Sequence, residues 1–399
     1  MAGPALSVAR LRALLGADAL VADATGALRV APRTEAACAL LLQTASSAGW
    51  RVRLEGAGTW APTDAPADLV LTTTAMDRIT DVSPVDLVAT VEAGVRIDEL
   101  RDRLADAGAW LAADPPGGNR TLGSVVATGT GGPLRTGFGA MRDQLLGVTL
   151  ITGDGRIVRA GGRVVKNVAG YDLTRLAAGS FGMFGLITSA HLRLRAVPRA
   201  DRTLLATGDR DALLDAGRAM LAAGAMPAAL ELFSPAAADR DTWLLAARLV
   251  GTDPEVHAWR DELMAAATVP LADGGPDGAA VWRRAAAAAV DAPVTLRLGT
   301  LPVALEDALD LVAHLLDEAV RDWIAVSIGP GAVRWSGNAS AAALALLRRT
   351  AAEREVPMTL ERAPWPIHSE VGVFGAYREG AGRLVDGLRR QFDPAGALV

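Results

Sequence analysis

Three passages dense in glycine and small residues punctuate the first half of this 399-residue chain: RLEGAGTW (53–60), PPGGNRTLGSVVATGTGGP (115–133) and KNVAGYDLTRLAAGSFGMFGLIT (166–188). Glycine lets the main chain approach a neighbour closely and tolerates positive φ, so a fold must be pressed against something at three separate places. In the first passage RVRL reads as a short strand, and the loop after it offers backbone N–H groups at Ala57, Gly58, Thr59 and Trp60. Such a concave nest can hold a diphosphate without a cation, although Gly-x-Gly also marks any tight turn. No lysine follows the glycines as a P-loop requires, and the prolines of APTDAPADL, from position 61, forbid the helix that a Rossmann fingerprint opens. The second passage supplies hydroxyls at Thr121, Ser124, Thr128 and Thr130, and the third places glycines at 170, 179, 182 and 185 just before a strand. Together they imply a long ligand, about the size of a dinucleotide, held largely by main chain.

The length excludes one ordinary core, because single cores stop growing near roughly 250–300 residues, and two or three lobes are expected. Hydrophobic residues make up 51% of the chain, enough apolar surface to bury a core in each lobe. With 40 basic against 45 acidic side chains and no Lys/Arg block, nucleic acid finds no electrostatic footprint. No apolar run reaches the roughly 18 residues of a membrane span, and MAGPALSVARLRALL is no basic leader with an apolar core, so a cytoplasmic location is expected. Cys38 stands alone and the four histidines show no ligand spacing, so no metal site is expected.

Helical spacing of Ala37, Leu40, Leu41 and Ala45 predicts a helix over 34–49 ahead of the RVRL strand. DLVLTT (68–73) and DLVATVEAG (86–94) read as strands, Ile97–Ala107 as a helix, and LLGVTLITGDGRIVRAGG as a hairpin around Asp154-Gly155. FGLITSAHLRLRAV (184–197) alternates as one long strand that Pro198 stops. Beyond about residue 200 a strand-helix-strand-strand-helix order runs twice, separated by a low-complexity stretch with DGGPDGAA (273–280); helices on one face of a sheet are expected there. VPMTLERAP and a helix ending near Phe392 follow, with a return to the first lobe. The expected division is 1–198, 199–365 and 366–399.

The order EGAGTW, PGGNRTLGS, RTGFGAMRDQLLGVTLITGDGRIV and KNVAGYDLTRLAAGSFGMFGLIT resembles the FAD-binding domain of the vanillyl-alcohol oxidase/p-cresol methylhydroxylase (PCMH) flavoprotein superfamily, over roughly residues 30–198. Within it the chain most resembles the glycolate oxidase E-subunit family, whose members accompany a sister flavoprotein subunit and an iron–sulfur subunit. The resemblance implies an α+β architecture: a two-lobed PCMH-type FAD-binding domain plus a second α+β domain with an antiparallel sheet covered by helices. It puts the FAD diphosphate on Gly56, Ala57, Gly58, Thr59 and Trp60, with Pro116, Thr121, Leu122, Gly123 and Ser124 along the opposing wall. Arg142 and Asp143 match the segment before the next strand, and Gly182, Gly185, Leu186 and Ile187 match main chain near the flavin and adenine. Covalent members carry His where this chain has Thr59, which implies noncovalent FAD. Glu55 stands where relatives commonly have a basic residue or proline, so it is expected to point away from a diphosphate or weaken its binding. Ser124 replaces a second glycine, FDPAGALV lacks an NPGR-type continuation, and the HxGDGN-like segment of the D-type subunits is absent.

Reduced flavin gains from a cation or N–H donors near its developing negative charge, and Lys166 and Arg175 are candidates; an exposed charge or ordinary ion pair is the alternative for each. Tyr171 is placed to stack on the ring or to anchor the following helix, and Asp172 to cap that helix. His368, in PWPIHSEVG, is a candidate to reach a substrate cavity from the second lobe, and Trp282, Trp335 and Trp365 read as packing residues. Two functions result. In one, an FAD-dependent oxidoreductase subunit takes electrons from a small 2-hydroxyacid such as glycolate or D-lactate, directly or through the sister flavoprotein, and passes them to an iron–sulfur partner, with membrane association only through partners. In the other, a structural subunit carries vestigial or no FAD.

Overall fold

The computed structural model describes residues 7–16, 20–21, 28–60, 64–163, 172–287, 292–316, 322–375, 377 and 380–399. Its first lobe is built on two small sheets. One has four strands, with Val52–Glu55 and Leu28–Val30 flanking Leu69–Thr72 in parallel and Leu20–Val21 added antiparallel at the edge. The helix Glu35–Ala48 covers it: Thr34 caps the start by accepting from Ala37 N at 3.2 Å, and Gly49 ends it in the left-handed region. Cys38, Leu41, Leu42 and Ala45 recur at helical spacing and are fully buried, each leucine contributing roughly 1.5–3 kcal/mol.

The second sheet of this lobe is antiparallel and runs in the order Ile79–Ser83, Val88–Glu92, Leu186–Arg193, Leu145–Ile151, Ile157–Gly161. Its last pair is the hairpin expected around Asp154-Gly155, and Gly155 adopts φ +86° there. The strand expected over 184–197 is divided. Leu186–Arg193 stays in the sheet, while Arg195–Ala196 leaves it to pair with Ala109–Trp110. Leu194 is the turning point, its N–H held by Leu87 O at 2.7 Å.

The second lobe is one antiparallel sheet of eight strands, in the order Ala272–Asp273, Ala200–Gly208, Trp243–Gly251, Ala229–Phe233, Trp323–Ser327, Ala332–Gly337, Val294–Gly299, Met358–Arg362. Strand alternation sends Leu204, Leu245, Leu296 and Trp335 to one face, where the helices Arg210–Ala222, Asp253–Ala266, Leu305–Leu315 and Ala341–Glu353 close the largest core. The opposite face is not bare, which corrects the expectation of helices on one side only. The stretch expected to be low-complexity is the start of a helix, Gly275–Ala287, which packs Val281, Trp282 and Ala285 against Leu205, Phe233 and Leu244. The reason lies in Ala279 onward, an alanine-rich run of high helix propensity, and in Gly278, where a Cβ would lie 2.6 Å from Thr203 Cβ.

The remainder of that face meets the first lobe. Arg334 Nη2 donates to Gly131 O at 3.0 Å and Gly137 N to Ala228 O at 3.0 Å. The helix Trp365–Val371 still packs on the second lobe, with Ile367 and Val371 against its core. From Phe374, whose ring meets Phe181 at 5.3 Å, the chain runs back along the first lobe; Leu388 and Phe392 pack on its core and Leu398 pairs in parallel with Val52.

Candidate functional site

The strand Val52–Glu55 points its C-terminal end at the glycine loop, and a cavity of about 100 Å³ opens where that loop faces the other glycine passages. Gly56, Gly58, Thr59 and Trp60 line one side; Gly123 and Ser124, at the start of the helix Leu122–Thr128, line the second; Gly182, Gly185, Leu186 and Ile187 line the third. The three passages, far apart in sequence, therefore converge. A neighbouring cavity of about 280 Å³ shares Leu54, Phe181 and Gly182 with it and extends under Phe374 and Arg389.

Steric limits explain the glycines. A Cβ on Gly56 would lie 2.1 Å from Thr121 Oγ1, and one on Gly123 2.8 Å from Ala93 Cβ. Gly58 and Gly182 have φ of +70° and +80°, which glycine adopts without strain. Phe181, at φ +52°, holds the left-handed region without being glycine, tied by its N–H to Ala127 O at 2.7 Å; strained positions of this kind gather at functional sites. Thr121 and Leu122 stand behind the wall, with Thr121 Oγ1 accepting from Ser124 N as the helix cap, and Pro116 is buried beside it. Ala57 is half-buried in the loop and does not line the cavity.

Arg142 and Asp143 stand outside both cavities. They pair at 3.8 Å, and Asp143 accepts from Ala140 N, closing the turn Met141–Gln144. Lys166 and Tyr171 lie outside the described residues. Arg175 is exposed and paired with Asp172, which caps the helix Leu173–Ala177, so the ordinary ion pair is the reading that holds for it. His368 is buried on the helix Trp365–Val371, lines neither cavity, and has no hydrogen-bond partner at Nε2 among the described residues. Burial and the Arg348 guanidinium lower its pKa, so the imidazole is neutral near pH 7.

Glu55 lines the cavity, and its carboxylate is held by two cations. Its Oε1 lies 2.7 Å from Arg53 Nε and its Oε2 2.8 Å from Arg29 Nη1. The residue that most clearly escaped the sequence reading is Arg120. Its side chain is sealed from solvent at 1% exposure, stacks on Trp60 at 4.3 Å, and donates to Pro116 O and to Thr128 Oγ1, the latter at 2.7 Å. Among the described residues no carboxylate touches it and its Nε has no partner; burial lowers its pKa to about 9. Near it, at the contact between lobes, lie Arg334 and Glu361, whose carboxylate Arg334 Nε and Arg297 Nε contact at 3.0 and 3.2 Å; Arg135 stands near Arg297, Arg334 and Asp143. Burial acts to raise the Glu361 pKa, but the two guanidiniums outweigh it and hold the group ionised. Arg135 has no side-chain partner among the described residues. Glu361 is thus held between two guanidiniums, with Arg120 buried near them and free of any carboxylate contact among the described residues. Each strand residue involved sits at the polar phase of an alternating strand, where sequence alone reads it as facing water.

The site fits a dinucleotide: Gly56, Gly58, Gly123, Gly182 and Gly185 bring main chain to the cavity, and among the described residues Trp60 Nε1 there and Ser180 Oγ in the neighbouring cavity are buried polar atoms without a hydrogen-bond partner. Fold and cavity together define the class. Residues 27–161 match the family described as FAD binding domain, and over 97% of its length the chain superposes on p-cresol methylhydroxylase with substrate bound (TM-score 0.77, 13% identity, 94% of that chain). The 4-ethylphenol oxidase from Gulosibacter chungangensis superposes equally widely (TM-score 0.76, 13% identity, 98% of this chain and 95% of that one). The first lobe thus carries the match to the FAD binding domain family, and the chain has the fold of p-cresol methylhydroxylase. In sequence, 128 residues are 41% identical to the glycolate oxidase subunit GlcE of Escherichia coli, a match spanning 32% of this chain and 37% of that protein. A D-lactate dehydrogenase of Archaeoglobus fulgidus is 30% identical over 239 residues, 57% of this chain and 52% of that protein. The chain matches a third to a half of the length of these relatives.

Proposed function

We propose that this chain is an FAD-dependent oxidoreductase subunit of a glycolate oxidase-like assembly, taking electrons from a small 2-hydroxyacid, directly or through a sister flavoprotein, and passing them to an iron–sulfur partner. The observation that carries the reading is the convergence of three glycine passages on one cavity, with the buried Arg120 stacked on Trp60 of its wall. Residues 56–60 with Gly123 and Ser124 would hold the diphosphate, and Gly182, Gly185, Leu186 and Ile187 the main-chain side of the remainder. With Thr59 in place of the histidine of covalent relatives, the cofactor would be held noncovalently. Bound FAD supplies a two-electron acceptor. The chain's own contribution is electrostatic: Arg120 supplies positive charge beside the cavity, and Arg135, near Arg297 and Arg334 and hydrogen-bonded to no side chain among the described residues, would pair with a substrate carboxylate. We further propose the division into residues 1–198, 199–365 and 366–399, and a cytoplasmic location with any membrane contact made through partners. No helix among the described residues is long and apolar enough to cross a membrane.

Anaerobic visible spectra of the purified chain test this directly. A flavin band that bleaches with glycolate or D-lactate supports oxidation by this chain, and one that bleaches only with partner subunits supports electron transfer between flavoproteins. Folded protein that stays colourless after incubation with FAD would replace the proposal with a structural role.

A further inference from the structure

A second cleft, of about 900 Å³, lies between the first lobe and the edge of the eight-stranded sheet and shares no lining residue with the cofactor cavity. Its walls come from Trp110 and Asp114 on the first lobe, and from Arg199, Arg248, Trp282 and Arg283 on the second. Most of its charges are spent. Arg248 grips Asp201 through two nitrogens at 3.0 and 2.6 Å, Arg202 reaches Asp273 at 3.2 Å, and Arg101 is paired with Asp98. Asp114 accepts from Leu134 N at 3.0 Å, and burial pushes its pKa up to about 7, which removes much of its charge near neutrality.

Arg199 and Arg283 differ from these. Neither guanidinium has a partner among the described residues, yet they come from two separate elements, the connector after Pro198 and the helix Gly275–Ala287, and line the same cleft. Two indole rings add apolar wall: Trp282, fixed by its Nε1 donating to Thr203 Oγ1 at 2.8 Å, and Trp110, edge-on to Phe138 at 5.2 Å. We propose that this cleft is a second binding site, for a small organic dianion, a phosphate monoester or dicarboxylate carried on an apolar body. The two arginines take the anionic head and the indole-lined wall takes the body. The same helix reaches the cofactor lobe, because Ala286 O accepts from Gly117 N at 2.9 Å, and a Cβ on Gly117 would lie 2.9 Å from the Trp60 ring. Occupancy is thereby linked to the loop beside the cofactor.

Calorimetric titration of the full chain with AMP and with phthalate tests the site, the tighter of the two identifying a phosphate or a carboxylate head. The expected result is saturable binding of at least one probe, weakened tenfold or more in Arg199→Ala and in Arg283→Glu. Both residues are exposed, so the variants should keep the parent's circular dichroism and melting temperature. Amide exchange at Gly117 should slow when the probe is bound. Absence of binding by both probes at millimolar concentration, affinity unchanged in the two variants, or protection confined to segments away from the cleft would each overturn the proposal.

Discussion

Gly56 has no room for a side chain: the hydroxyl that caps the neighbouring helix occupies the space where a Cβ would stand, 2.1 Å away. Gly56→Ala must therefore shift the loop or expel Thr121 from its cap. We expect flavin retained on purification to fall about tenfold, equivalent to about 1.4 kcal/mol of binding free energy. Visible absorbance against protein concentration checks this, and a normal flavin ratio in the variant would contradict it. Arg120 presents the reverse problem, a buried charge with no acid in contact. Arg120→Met should lower the potential of the bound flavin by on the order of 30 mV, about 1.4 kcal/mol for a two-electron couple, because it withdraws positive charge from the side where reduction adds negative charge. Anaerobic titration against a reference dye reads the shift, and an unmoved potential would assign Arg120 to packing on Trp60 alone.

Among the elements, Asp393 organises the return of the chain. Its two oxygens accept from Ala397 N at 2.9 Å and Leu398 N at 3.0 Å, which sets the turn that brings Leu398 beside Val52. Asp393→Ala removes both charge-assisted bonds and should destabilise this corner by roughly 1.5–3 kcal/mol, seen as faster amide exchange along 50–54 before any change in the second lobe. The elements legible in the sequence are those whose periodicity and caps agree, such as Glu35–Ala48 with Thr34, or the Asp154-Gly155 hairpin. The helix Gly275–Ala287 is hidden in the sequence because Gly-Pro-Asp-Gly reads as a turn; the alanine-rich run after it and the contact with Thr203 and Leu205 make its first turn helical. The glycine loops were legible because backbone approach leaves a compositional trace. Arg120, in the loop before the helix Leu122–Thr128, was not, nor were Arg334 and Glu361, since a charged residue in a loop or at the polar phase of a strand looks the same whether it meets water or another lobe.

Across the whole molecule, the lobes meet through ionisable groups that titrate in an unusual range. Glu231, buried on the strand Ala229–Phe233, is pushed up to about 8, chiefly by burial and further by Asp114 of the first lobe, against the lowering effects of Ser327 and Arg334. Unfolded, the same carboxyl titrates near 4.3. Between these values the folded state holds a proton that the unfolded state has released, so stability falls as pH rises through the window and is greatest below it. Glu231→Gln cannot ionise and should flatten this part of the melting temperature profile between about pH 5 and 8. Identical slopes for parent and variant would place the protonation elsewhere.

The pairing of Val52 with Leu398 also has a bearing on biosynthesis. The strand leading into the glycine loop leaves the ribosome early, but its parallel neighbour is translated only after the entire second lobe. At about 5–20 residues per second the nascent first lobe waits tens of seconds with that edge unpaired. We expect cofactor capture to wait until the second lobe and residues 393–398 have been made, so that a polypeptide stalled within the second lobe emerges without its colour.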